Sequence, residues 1–178
     1  MEEGTITCIT FQTSRIRVIN LPERHSRRAM LARPIARPLV HVRQLARRRF
    51  SLAVGSTGTA SRTVETRVTA ATLGSGSLEV FGTPAMVALM EESACNCVAA
   101  ALEPGQTTVG TQVNIAHLRC TPMGMGVRAE ATLTGIKGKM LTFDVNAFDD
   151  KEKIGQGSHQ RAIIAAEPFL AQCLAKAK

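Results

Sequence analysis

The chain contains neither tryptophan nor tyrosine, and only six of its 178 residues are phenylalanine. Aromatic platforms on which single-stranded nucleic acid stacks are therefore scarce. The formal net charge of +8 would otherwise suggest a nucleic-acid or membrane-surface partner. That charge lies before residue 65, because residues 65–178 carry ten basic and eleven acidic groups. We therefore expect no nucleic-acid binding by this protein.

Metal-site patterns and the common hydrolase motifs are also missing. The five cysteines lack the paired CxxC spacing of a zinc site and are too few for a disulfide scaffold. The sequence has no GxSxG elbow, HExxH pair, P-loop or Rossmann fingerprint. No apolar run reaches the roughly 18 residues of a membrane span. We expect no metal, no cofactor and no membrane span.

The N-terminal part of the chain is strongly basic. Ten arginines and no acidic residue lie between Arg24 and Thr63, a composition typical of an organelle transit peptide. We predict that residues 1–60 are an unstructured targeting leader and that residues 61–178 form the folded domain. The predicted destination is the mitochondrion, with the plastid or the cytoplasm as alternatives. A disordered basic tail without a targeting role would have the same composition.

Two further features bear on the leader. The run Arg48-Arg49-Phe50-Ser51 resembles a mitochondrial processing site, and cleavage there would leave a chain that begins near Ser51. Initiation at Met30 is an alternative, since it would give a presequence without any acidic residue.

From Thr63 onward the pattern changes to a strand, a helix and then further strands. Residues 63–69 are rich in β-branched side chains and predict a first strand, followed by a Gly/Ser turn at residues 74–77. Alternation of apolar and polar residues marks the later strands most clearly at residues 127–134 and 141–147. The four later strands are predicted within residues 109–118, 127–134, 141–147 and 154–165.

One long helix should separate the first strand from the others. Thr83 precedes Pro84, and an N-cap residue followed by proline predicts that a helix begins there. The helix should run to about Leu102 and end at Pro104-Gly105. Its first two turns are apolar nearly all round, so we expect it to be buried. The pattern predicts an α+β fold in which an antiparallel sheet of about five strands wraps around one central helix.

Three polar residues stand out in this frame. Glu91 lies in the middle of the helix on or near an apolar face, where a carboxylate must be paired, have a raised pKa or face a cavity. The alternative is that Glu91 and its neighbour Glu92 mark the solvent side of the helix. His117 continues a row of alternating residues that begins at Val109. It could be a catalytic histidine or a structural one. For His159 we favour a structural role.

Three segments resemble the fluoroacetyl-CoA thioesterase family of hotdog-fold proteins: residues 80–91, 109–117 and 154–162. In that family a Thr before the central helix, a Glu eight residues later and a His a further 26 residues later form the catalytic set. Thr83, Glu91 and His117 stand at those intervals here. The resemblance implies a hotdog-fold acyl-CoA thioesterase. It also implies that Gly110 lies beside the thioester and that Arg161 lies near the site.

Helix geometry adds a prediction about assembly. Eight residues separate Thr83 from Glu91, which is about 12 Å along a helix axis. One chain would not bring the two side chains together, so we predict a homodimer in which Thr83 from the neighbour completes an active site at the interface.

The chain departs from the family at residues 74–77, which are small where the fluoroacetyl-specific enzyme has phenylalanines that shape an acyl gate. We therefore expect a short or medium acyl-CoA as substrate rather than fluoroacetyl-CoA. Two alternatives stay open: an enoyl-CoA hydratase-type hotdog enzyme, whose Asp and His frame we do not find, and a non-catalytic acyl-CoA binding or regulatory module. The sequence does not distinguish a nucleophilic Glu91 from a general base.

Overall fold

The computed structural model describes residues 51–177. Residues 1–50, which include most of the predicted leader, lie outside the described part of the chain. The described residues form five strands and two α-helices, with short 3-10 turns at Thr66–Val68 and Ala99–Ala101. In chain order the elements are β1 (Thr57–Thr63), α1 (Thr83–Val98), β2 (Gln106–His117), β3 (Gly126–Lys137), β4 (Met140–Asp149), β5 (Lys153–Ala165) and α2 (Ala166–Ala175).

The five strands form one antiparallel sheet in the order β1-β3-β4-β5-β2, curled around α1. The core lies between the inner face of the sheet and α1, and its largest buried side chains include Phe143, Met86, Leu89 and Leu133. Alternate residues of β3 and β4 point into this core, as their sequence pattern predicts. The predicted fold, an α+β hotdog arrangement, is confirmed.

The predicted central helix is present, but Thr83 is not its N-cap. Gly82 holds the extended N-cap conformation, and Thr83 and Pro84 are the first helical residues. Proline suits this position because the first helical N–H groups have no partner within the helix. The Thr83 hydroxyl is consequently not used for capping and points toward β2 instead.

The predicted first strand is wrong. The first strand is Thr57–Thr63, and residues 66–68 form a 3-10 turn. Thr66 is exposed between the buried Val64 and Val68, and Thr69 is buried directly after Val68, a pattern that breaks the alternation of a strand. The β-branched residues do not form a strand here because strand propensity depends more on packing against neighbouring strands than on the preference of the backbone itself. β1 begins before residue 61, so the sheet includes residues that we had assigned to the leader.

β2 is an edge strand, and most of its residues are exposed. A register shift between Gly110 and Gln112 bulges the strand at Thr111, whose hydroxyl donates a hydrogen bond to the Gln160 carbonyl. Helix α2, which the sequence did not predict, follows β5 directly and buries no residue. Within residues 51–177 no helix has the length and apolar character needed to cross a membrane.

Candidate active site

Thr83 and His117 meet where the first turn of α1 lies against the end of β2. The Thr83 hydroxyl oxygen lies 2.9 Å from His117 Nδ1, within hydrogen-bond distance. The pair opens onto a groove of about 340 Å³ that is also lined by Phe81, Arg119 and Cys120. Because α1 begins at Thr83, the positive end of its helix dipole lies at the same groove. A hydroxyl, an imidazole and a helix N-terminus therefore meet at one groove.

The electrostatics of the groove favour a neutral His117. Burial lowers the pKa of His117, and the backbone of Arg119 opposes that shift only in part. A neutral imidazole with an unprotonated Nδ1 can accept the Thr83 proton, whereas an imidazolium cannot. His117 is therefore suited to act as a general base toward Thr83.

Glu91 lies on α1 over β2 at Gly110. A Cβ atom built on Gly110 would stand 2.5 Å from Glu91 Oε1 and 3.3 Å from His159 Cε1. Only glycine leaves room for the carboxylate at this point of the strand. The neighbouring Glu92 turns the other way and forms an ion pair with Arg62 on β1 at 2.6 Å. Glu91 is thus the member of the pair that faces the β2–β5 side of the helix.

Arg161 and His159 form a buried network beneath Glu91. Arg161 donates from Nε to the Thr108 hydroxyl at 2.8 Å and from Nη2 to the Thr108 carbonyl at 2.9 Å. Its Nη1 lies 3.1 Å from His159 Nε2. His159 Nδ1 lies 2.8 Å from the Gln112 carbonyl, which can only accept, so Nδ1 carries the proton and Nε2 accepts from Arg161. Residues of two strands, β2 and β5, fix the position of this guanidinium.

The charge state of His159 follows from the same contacts. Burial lowers the pKa of His159, and the positive charge of Arg161 lowers it further, while Gln112 and Glu91 act in the opposite direction. Neutral His159 leaves Arg161 as the cation that faces Glu91. Glu91 Oε1 lies 3.8 Å from Arg161 Nη1 and 3.7 Å from His159 Nε2, beyond hydrogen-bond length. The carboxylate is near a cation but is not held by it.

The predicted site residues therefore fall into two groups within one chain. Thr83 and His117 meet at the start of α1, whereas Glu91, Gly110 and Arg161 meet two turns farther along the helix. The two groups are about 12 Å apart along the helix axis. Glu91 is 38% exposed, so it is not desolvated within the protomer.

The row of residues predicted on β2 is only partly correct. Cross-strand partners share a face, and Val113 pairs with the buried His159, so Val113 and the alternate residues up to His117 face inward. Val109 pairs with Ala162 and faces outward because the bulge at Thr111 shifts the alternation by one residue. The prediction that the whole row shares one face is therefore wrong for Val109 and correct from Val113 to His117.

Sequence reasoning missed Thr108 and the contact of His159 with Arg161. The only local signal was the spacing of two residues between His159 and Arg161, which places both on one face of β5. Among residues 51–177 no group of three or more His, Cys, Asp or Glu side chains is arranged to hold a metal ion.

Comparisons with known proteins identify relatives of this arrangement. The profile of the fluoroacetyl-CoA-specific thioesterase family matches residues 64–167. The fluoroacetyl-CoA thioesterase of Streptantibioticus cattleyicolor is 40% identical over 94 residues, which are 53% of this chain and 68% of that protein. A solved structure of a fluoroacetyl-CoA thioesterase superimposes with a TM-score of 0.67 at 34% identity, covering 71% of this chain and 98% of its own. A thioesterase superfamily member from Thermus thermophilus superimposes with a TM-score of 0.63 at 25% identity, covering 69% and 91%.

Proposed function

The chain belongs to the fluoroacetyl-CoA-specific thioesterase family, and we propose that it hydrolyses a short or medium acyl-CoA thioester to the free acid and CoA. The relatives are thioester hydrolases, which favours this activity over a hydratase or a non-catalytic binding module. The observation that carries the proposal is the 2.9 Å contact between the Thr83 hydroxyl and His117 Nδ1 at an open groove.

Thr83 and His117 are suited to the first half of the reaction. His117 takes the Thr83 proton as the hydroxyl oxygen attacks the thioester carbonyl, because its lowered pKa keeps it unprotonated. The positive end of the α1 dipole, at Thr83, stabilises the developing oxyanion. When the carbon–sulfur bond breaks, His117 returns the proton to the CoA thiolate. The acyl group is then an ester of Thr83.

Glu91 is suited to the second half. Glu91 accepts no side-chain hydrogen bond within residues 51–177, so it can take a proton from the water that attacks the acyl ester. The proton then passes to the Thr83 oxygen as the ester bond breaks, which releases the acid and restores the hydroxyl. Arg161 Nη1 lies 3.8 Å from the Glu91 carboxylate and places a positive charge beside it. Within one protomer the distance along α1 is too great for Glu91 to reach the ester on Thr83. The second half therefore requires Glu91 from another chain.

We propose a two-fold dimer that joins β2 to the β2 strand of a second copy. β2 is a twelve-residue edge strand with exposed residues along most of its length, and such edges readily pair with another strand. Antiparallel pairing about a two-fold axis near its middle would move the Gly110 region of each strand toward the His117 end of the other. Each site would combine Thr83 and His117 of one protomer with Glu91 of its partner.

Release of free CoA from a panel of acyl-CoA chain lengths tests the activity. We expect wild type to release CoA and both Glu91→Gln and His117→Ala to lose at least about 100-fold in rate, the scale of a lost acid–base group. Glu91→Gln should accumulate an acyl adduct on Thr83 that mass spectrometry detects, and Thr83→Ala should not. If wild type releases no CoA from any chain length, or if both variants retain full rate, the proposal is wrong.

Mixed dimers test the shared site. Co-expressed Glu91→Gln and His117→Ala chains form heterodimers in which one site has both native residues if the site is shared between protomers. Random pairing should then restore about a quarter of the wild-type activity. If each site lies within one chain, every site carries one substitution and no activity returns.

The acyl preference and the cellular location are proposals of the same kind. Residues 74–77 are small and the turn that they form is exposed, which supports a substrate other than fluoroacetyl-CoA.

The composition of residues 1–60 supports a mitochondrial location, with the plastid or the cytoplasm as alternatives. A fluorescent reporter fused to residues 1–60 should enter mitochondria, and a diffuse cytosolic signal would contradict the proposal.

A further inference from the structure

A second and larger groove, of about 740 Å³, lies at the end of β1, β3 and β4. We call it the cationic groove and define it by its four basic residues, Arg62, Arg128, Lys151 and Lys153. Residues 51–177 contain ten basic side chains in all, so four of the ten gather at this place. Three acidic residues, Asp149, Asp150 and Glu152, line the same concave surface, so the charge it offers a ligand depends on which charged groups already have partners.

The three acidic residues of the cationic groove are occupied by other contacts, and Glu152 forms an ion pair with Arg119 at 3.5 Å. Asp149 accepts hydrogen bonds from the backbone N–H groups of Lys151 and Glu152 and from the Thr121 hydroxyl. Asp150 accepts from the Gly126 N–H at 2.9 Å. These hydrogen bonds shape the turn between β4 and β5 and fix both carboxylates within it.

The lysines, in contrast, have no carboxylate partner among the residues that the structure describes. Lys153 donates to the Asn146 side-chain carbonyl at 3.0 Å and to that of Gln156 at 3.4 Å, and both acceptors are uncharged. Lys151 forms no ion pair within residues 51–177. Two positive charges in the groove are thus left for an anion from outside the protomer.

Phe148 holds two of the cations in place. The Arg128 guanidinium lies 4.3 Å from the centre of its ring, and Lys153 Nζ lies 5.7 Å from the same point. Such cation–π contacts limit the freedom of long side chains and thereby reduce the entropy lost when a ligand binds.

The cationic groove adjoins the groove at Thr83 and His117. Arg119 lines the groove at Thr83 and His117, and Glu152 lines the cationic groove. Arg119 Nε lies 3.5 Å from Glu152 Oε2. An extended ligand could therefore place one end at His117 and the other near Lys151.

We propose that the cationic groove binds the phosphates of the CoA nucleotide while the thioester lies at Thr83. This inference rests on the proposed function and adds a second binding site for the same substrate. CoA joins a thiol to a nucleotide with three phosphates through a long flexible arm, which matches two adjoining grooves of different character. Positive charge in a concave surface also attracts an anionic substrate over several ångströms.

The test compares substrates with and without the nucleotide. The double variant Lys151→Ala/Lys153→Ala removes two charges from the cationic groove, and Lys137→Ala/Lys139→Ala removes two charges from the opposite end of the β3–β4 hairpin as a matched control. Each enzyme is assayed with acyl-CoA, 3′-dephospho-acyl-CoA and acyl-pantetheine. Each exposed charge pair contributes up to roughly a factor of five, so we expect KM for acyl-CoA to rise about tenfold in the groove variant, with kcat unchanged.

The three substrates separate the outcomes. KM for acyl-pantetheine should be the same in all three proteins, and the effect for 3′-dephospho-acyl-CoA should be intermediate. An unchanged KM for acyl-CoA in the groove variant, or an equal rise with acyl-pantetheine, would overturn the proposal. If wild type hydrolyses none of the substrates, the proposed function fails. The affinity of the groove and control variants for CoA itself, measured by calorimetry, then tests the cationic groove. Equal affinity in the two variants would overturn the inference.

Discussion

Replacement of Gly110 by alanine tests whether the position of Glu91 matters for the reaction. The added Cβ would lie 2.5 Å from Glu91 Oε1, whereas ordinary van der Waals contact begins at 3.4 Å. The carboxylate must therefore retreat by about 0.9 Å, and a misplacement of about 1 Å in a reacting group can lower the rate about 100-fold. Glu91 is the flexible end of a side chain that is 38% exposed, so it can move without disturbing the core.

We therefore expect kcat of Gly110→Ala to fall about 100-fold, with only a small change in the melting temperature. Steady-state kinetics with an acyl-CoA substrate and thermal denaturation measure the two quantities. Gly135→Ala is the matched control, because the new Cβ in β3 would meet Thr142 at an ordinary 3.6 Å. Full activity in Gly110→Ala would refute the role that we assign to the Glu91 position.

Two further predictions concern pH. Because burial lowers the pKa of His117, the acid limb of kcat/KM should lie below the ordinary histidine value of 6.5, and a limb at or above 6.5 would contradict its role as the base. Burial acts to raise the pKa of Asp149, but hydrogen bonds from Glu152, Lys151 and Thr121 hold it below its usual 3.8. The folded state thus favours the ionised form, and this contribution to stability is present above pH 3.8 and lost as the pH falls below it. In urea denaturation Asp149→Ala should lower the free energy of unfolding by about 2 kcal/mol at pH 7 and by clearly less at pH 3, and an equal loss at both values would count against this account.

The sequence by itself determined the central helix and the middle of the sheet. Thr83-Pro84 mark the start of α1, whereas the helix ends at Val98, before Pro104-Gly105, and a 3-10 turn follows at Ala99–Ala101. The alternation in β3 and β4 predicted which side chains are buried, since successive residues of any strand point to opposite faces. The spacing of Thr83, Glu91 and His117 named a candidate set only through the family resemblance.

Only the tertiary structure decided which of these residues meet. The bulge at Thr111 and the location of β1 depend on the partner strands, and a local pattern carries no information about a partner's register. The same holds for His159, which is fixed by a carbonyl on β2 and by Arg161 on its own strand. The separation of Thr83 from Glu91 follows from the eight helical residues between them and could be predicted. The sequence thus determined the groups available for catalysis and their spacing on α1, and the packing of α1 on the sheet decided that His117 meets Thr83 and that Gly110 and Arg161 meet Glu91.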